Sequence, residues 1–184
     1  MRALRLTTGL TSIRFGNRPR VARNDETMPK LPQFANDESI NKAEIRTLIP
    51  HSGLMCLLDE VVEWNDRSIV CITNTHRDPA NPLRRAGRLS ALHAFEYGAQ
   101  AAAVHGGLRA RSAGATAPPG YLAALRNARL HATHLDDIDS ALEIVASRLF
   151  GDSANTVYEC RISGGDVLIA EGRITIILRG MTNQ

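Results

Sequence analysis

The stretch ALHAFEYGAQAAAVHGG, residues 91–107, sets Glu96 inside a run of small apolar residues, with His93 three positions before it and Gln100 four after. An imidazole and a carboxylate within reach of each other can divide a proton transfer, one accepting and one donating, which is the minimum equipment for general acid–base chemistry. On a helix, residues three and four apart stack along one stripe. His93, Glu96 and Gln100 would then face the same way, leaving Ala91, Phe95, Ala99, Ala102 and Ala103 to pack on a neighbouring layer. The same stripe would also suit a helix edge that meets solvent or a partner helix, with three satisfied polar groups and no chemistry. Other patterns are weaker. HATHLDD, 131–137, has an HxxH spacing, but on a strand His131 and His134 point to opposite faces, and no paired cysteines or HExxH accompany them. No metal site and no cofactor are expected. Gly106-Gly107 lacks the GxxxxGK[ST] surroundings of a phosphate loop and reads as a helix stop.

The elements that must position the stripe follow from local signals. NKAEIRTLIP opens with Asn41 and carries Glu44 three residues on, a capping-box pattern, and Pro50 ends the short helix. LMCLLDEVVEW, 54–64, and RSIVCITNT, 67–75, read as strands joined at Asn65-Asp66. Residues 77–89 hold two prolines and a glycine and read as loop, after which Ser90 caps a helix over 90–105. Residues 106–120 form an aperiodic connection, expected to be mobile. Four strands follow at the spacing of a meander: 121–132, 141–150, 156–162 and 167–178. In the last, Leu168, Ala170, Ile174, Ile176 and Leu178 alternate with polar residues, so one face is wet. An antiparallel sheet with one apolar face needs a cover, and the only long apolar helix is 90–105. The expectation is an α+β fold, a curved antiparallel sheet wrapped around one central helix, within a single domain over 40–180.

Charge and composition exclude several classes. The chain has 184 residues and a formal charge of +3, but residues 1–27 carry six arginines against two acids; the remainder, with 16 basic and 17 acidic residues, sits at −1. The basic pI thus describes a tail, and no nucleic-acid surface is implied. Arginine- and Ser/Thr-rich, the tail has the composition of a transit peptide, or precedes a true start at Met28; residues 1–35 are expected to be disordered. No 18-residue apolar run suggests a membrane span. Cys56, Cys71 and Cys160 lie in apolar runs and read as buried thiols of a reducing compartment, hence a cytoplasmic protein.

Two motifs carry a resemblance. PHSGLMCLLDEVVEW resembles the LPHxxPMLLLDxVV opening of the hot-dog-fold 3-hydroxyacyl-[acyl-carrier-protein] dehydratases, and FEYGAQAAAV is similar to their LExxAQxxGV central helix. The branch most similar is the ApeP-like one of aryl polyene and xanthomonadin-type pigment pathways, over about Ile45 to Leu178. The resemblance implies a hot-dog homodimer that dehydrates a 3-hydroxyacyl thioester on the phosphopantetheine arm of an acyl carrier protein. Glu96 matches the helix carboxylate and Gln100 the glutamine that supports it or the substrate. One departure stands out. The family's loop histidine lies in a GHxPG-like stretch, and AGRLSALHAFE has Arg88 in its place. The dyad then needs another histidine: His93 by proximity, then His51, which matches the PH of the opening motif, then His76. Arg88, Arg84 and Arg85, near the presumed tunnel mouth, are expected to meet the substrate or its acidic carrier. The Arg88 departure also leaves room for a hot-dog thioesterase, whose carboxylate directs water without a histidine, or a non-catalytic acyl-binding scaffold.

Overall fold

The computed structural model describes residues 39–179; the arginine-rich tail and its expected boundary near residue 35 lie outside the described residues. Asn41 caps the first helix, α1 (Lys42–Leu48), its Oδ1 accepting from the N–H groups of Ala43 at 3.0 Å and Glu44 at 3.2 Å. Only half of the capping box forms, because the Glu44 carboxylate instead takes the Arg111 guanidinium at 2.7 Å. A two-residue strand absent from the sequence reading, β1 (Ile40–Asn41), precedes it and pairs with β2 (Glu60–Trp64).

Expected as strand from residue 54, the segment before β2 begins instead with a turn at Gly53–Met55, and at Leu57 its backbone is satisfied by side chains rather than by a ladder. The Leu57 carbonyl accepts from the hydroxyls of Thr73 and Thr75, both at 2.6 Å, and its N–H donates to Gln100 Oε1 at 2.9 Å. β2 turns into β3 (Ser68–Thr73) at Asn65, whose Oδ1 accepts from the N–H groups of Arg67 and Ser68. Four longer elements complete the fold after the central helix α2 (Ala94–Ser112): β4 (Gly120–Leu130), β5 (Leu142–Gly151), β6 (Asn155–Gly164) and β7 (Val167–Leu178). All pairings are antiparallel, in the order β1-β2-β3-β5-β6-β7-β4. The core lies between this sheet and α2, which packs on β3, β5, β6 and β7.

The alternation read in β7 holds for Ala170, Gly172, Ile174 and Ile176, but a bulge opposite Ile162/Ser163 shifts the register, so Ile169 is buried rather than Leu168. Cys56, Cys71 and Cys160 are buried free thiols. His131 and His134 pair with separate carboxylates, those of Glu171 and Asp137, each at 3.7 Å. Among the described residues no helix is long and apolar enough to cross a membrane.

Gly106-Gly107 does not end α2, which continues to Ser112 before Gly114 turns the chain at φ +68°. Leu108, fully buried beyond the two glycines, explains the extension, since burying it contributes about 1.5–3 kcal/mol against the poor helix propensity of glycine. Gly107 is needed for contact: a Cβ there would lie 3.1 Å from both Cβ and the carbonyl oxygen of Leu48, whereas Gly106 has open space. Gly106→Ala should therefore raise stability by about 0.5–1 kcal/mol in urea unfolding, while Gly107→Ala should forfeit that increment by pushing α1 outward.

Candidate active site

Pro50 ends α1, and Gly53, at φ +57°, reverses the chain just beyond His51. The reversal brings residues 55–57 back along α2, where Gln100 stitches them down. Its fully buried amide accepts from Leu57 N–H and donates to Met55 O at 2.9 Å and to Glu96 Oε1 at 3.2 Å. With both sides held, His51 Nε2 stands 3.6 Å from Glu96 Oε1. Both side chains are about 30% exposed, open to a ligand yet partly withdrawn from water. The other ring nitrogen, His51 Nδ1, is buried with no hydrogen-bond partner among the described residues.

His93, adjacent in sequence, is not brought to Glu96. It belongs to the turn Ala91–His93 that precedes α2, does not line the cavity that Glu96 lines, and its side chain makes no polar contact among the described residues. His76 is fully buried elsewhere, its Nε2 3.0 Å from Ile138 O, and burial pushes its pKa down. The three arginines are engaged away from the pair. Arg84 donates to the carbonyls of His76, Asp78 and Gly87 and reaches Asp136, acting as a staple inside its own loop. Arg88 holds Asp136 at 2.8 Å and Asp137 at 2.6 Å. Desolvation works against ionisation of Asp136, but the Leu89 N–H and the Arg88 guanidinium hold its carboxyl below the usual range. Arg85 is exposed, and its guanidinium donates to the nearby carbonyls of Pro82 and Arg84.

From His51 and Glu96 a cavity of about 820 Å³ runs along the small-residue face of α2, past Ala99, Ala102, Ala103 and Gly106. Pro118, Pro119, Tyr121 and Leu122, from the connection and the start of β4, line it together with residues of β5, β6 and β7. The alanines expected to pack on the sheet thus also form the floor of a channel. At the far end stand Arg109, Arg148 and Tyr158, which the sequence reading did not single out. Alternation along β6, with Tyr158, Cys160 and Ile162 all buried, was the available signal for Tyr158.

Behind Tyr158 lies a buried relay. A backbone carbonyl only accepts, so His105 donates from Nε2 to Asn65 O at 2.6 Å, and its Nδ1 lone pair takes the Tyr158 hydroxyl proton at 2.8 Å. Burial pushes the imidazole down to about 4 and the phenol up to about 12, keeping both neutral.

The chain matches the model of the ApeP-like family, described as ApeP dehydratase, over residues 43–182, well over half its length. Among solved structures, the dehydratase heterocomplex ApeI:P from Xenorhabdus doucetiae matches with a TM-score of 0.68 at 25% identity, covering 75% of this chain and 92% of that one. A thioesterase from Haemophilus influenzae matches with a TM-score of 0.51 at 12% identity, over 80% of this chain and 96% of that one, a likeness of fold alone. No curated protein sequence matches the chain.

The relay makes stability pH-dependent with a fixed sign. His105 titrates lower in the folded protein than in the unfolded chain, so its contribution is complete above about pH 6.5 and drains as pH falls toward about 4. Chemical denaturation should show stability dropping over that window by at most about 1.4 kcal/mol per pH unit from this group, and His105→Gln should have a shallower slope there.

Proposed function

The chain belongs to the ApeP-like family of dehydratases, and from that premise we propose that it removes water from a 3-hydroxyacyl thioester carried by an acyl carrier protein. The product is the trans-2-enoyl thioester, in pigment assembly of the aryl polyene type. The observation that carries this reading is the approach of His51 Nε2 to Glu96 Oε1, 3.6 Å, at the head of a channel along the helix. One member of the pair takes the proton from C2, the freed electrons form the C2=C3 bond, and the C3–O bond breaks as the other member delivers a proton, so that water leaves. The pair starts and ends with one proton, moved from one member to the other, and their proximity lets it return for the next cycle. Gln100 takes no part in the proton transfer; its N–H on Glu96 Oε1 fixes the carboxylate's orientation. His51 thus supplies the histidine that Arg88 displaced from the usual place, which favours dehydration over thioester hydrolysis by a lone carboxylate.

The site is proposed to work in a homodimer. Among the described residues β4 is an edge strand, paired only with β7, and carries exposed Tyr121, Leu122, Leu125 and Leu130, an apolar edge suited to a second subunit. A homologous partner is the second reading, favoured by the named heterocomplex of the relative. Light scattering of the purified chain at micromolar concentration should give a dimer; a monomer that dimerises only with a homologue would support the second reading.

With 3-hydroxyacyl carrier protein as substrate, enoyl absorbance and free thiol should be followed together. Glu96→Gln and His51→Gln should each lower enoyl formation on the order of a hundredfold or more, while His93→Ala should remain within a few-fold of the parent. Thiol release in place of enoyl formation would point to a thioesterase, and neither product to an acyl-binding scaffold.

A further inference from the structure

Next to Glu96 on α2, about 100° away around the helix, stands a fully buried phenol, Tyr97. It is not among the residues that line the channel, so the reaction described above gives it no part. A hydroxyl in such a place must find partners or destabilise the core, and packing alone would be served by phenylalanine. Its partners form one directed chain. Asn81 Nδ2 donates to the Tyr97 oxygen and to the Thr75 carbonyl, both at 2.9 Å. Thr75 Oγ1 lies 3.2 Å from the Tyr97 oxygen and 2.6 Å from the Leu57 carbonyl. A carbonyl can only accept, so the single Thr75 hydroxyl proton goes to Leu57 O over the shorter distance, and the Tyr97 proton is left for Thr75 Oγ1. Burial holds the phenol above its ordinary value, which keeps that proton in place.

The chain ends on the residue that Gln100 also holds. The Leu57 N–H donates to Gln100 Oε1, while its carbonyl takes the Thr75 proton. Leu57 is therefore clamped through both of its polar groups. Both legs of the clamp, Gln100 directly and Tyr97 through Thr75, stand on α2 within about one turn of Glu96. Thr73, whose hydroxyl also reaches Leu57 O, stands on β3 and ties the segment to the sheet rather than to the helix. One leg on the helix would let residues 55–57 pivot about a single contact; two fix their distance and their angle to it. His51, just upstream, takes its place opposite Glu96 from that segment.

We infer that Tyr97 is a positioning residue for the proposed reaction: through Thr75 and Leu57 it sets the approach of His51 to Glu96, and Asn81, from the loop after β3, holds it in that role. The inference rests on the proposed dehydration for what the positioned pair does.

The test compares the full-length chain with Tyr97→Phe, Thr75→Val and Thr75→Ser, at a temperature where cooperative melting shows each to be folded. With 3-hydroxyacyl carrier protein, Tyr97→Phe and Thr75→Val should each lower kcat about tenfold and leave KM within about twofold, the loss expected from misaligned reacting groups. The double variant should fall no further than either, since both break one chain, and Thr75→Ser, which keeps the hydroxyl, should stay near the parent. An unchanged kcat beside a lower Tm would reduce Tyr97 to a packing role and overturn the inference. So would a rise in KM alone, losses that multiply in the double variant, or Thr75→Ser as slow as Thr75→Val. A chain that turns over no hydroxyacyl substrate sinks the proposed reaction, and the positioning is then read without turnover. In NMR of the full-length chain, the displacement of the His51 ring-nitrogen resonances caused by Glu96→Gln should shrink to about half or less in Tyr97→Phe. An equal displacement in both backgrounds overturns the inference. Should Tyr97→Phe not fold, Thr75→Val and Thr75→Ser carry both measurements.

Discussion

A single buried primary amide, that of Gln100, connects the two halves of the candidate site. It makes three hydrogen bonds within one helical turn of Glu96, two of them to the backbone of a segment more than forty residues away in sequence. Among the described residues that segment has no strand partner over 56–58, before Asp59 N–H reaches Ile72 O of β3, so the amide and two threonine hydroxyls take the place of a ladder there. A fully buried amide left unpaired would be strongly unfavourable, so the contact holds the 55–57 backbone in one register. His51 sits just upstream of the held segment, and its position opposite Glu96 follows from that register. The pair is therefore set by main-chain geometry more than by its own attraction, which at 3.6 Å and partial exposure is modest.

The fold was legible because alternation along the strands and the absence of a second long helix left one way to cover the sheet. The site was only half legible. Glu96 and Gln100 lie one turn apart inside a regular helix, where sequence spacing translates directly into position. His93 shares that spacing on paper, but it sits in the turn before Ala94 rather than inside the regular helix, and it does not line the channel with Glu96. His51 depends on a left-handed glycine and on a contact over a large sequence separation, neither of which is visible in spacing. The arginines show the converse. Arg84 and Arg88 look like free loop charges, yet their donors are taken by carbonyls and by Asp136, which itself caps the Leu89 N–H and ties residues 84–89 to 135–137.

Glycine in α2 had a similar double meaning. A pair of glycines usually marks an end, but here Gly107 lets Leu48 approach, and Gly98 lets Cys160 approach, where a Cβ would be 3.1 Å from the sulfur. The helix is thin on the sides that meet α1 and β6, and alanine-lined where the channel runs. Small residues thus serve both close packing and open space along the same element.

The place of β4 in the sheet also bears on how the chain reaches this structure. β4 is made before β5, β6 and β7 but among the described residues pairs only with β7, its residues meeting partners 40 to 58 positions later, from Leu130↔Ala170 to Gly120↔Leu178. At about 5–20 residues per second of synthesis, β4 waits on the order of seconds for its partner, a non-local pairing whose closure is slow. Tyr121 and Leu122, which help wall the channel, spend that interval on an unpaired apolar strand. The wall of the binding channel is therefore among the last parts to form, and the growing chain is most open to misassociation during that interval.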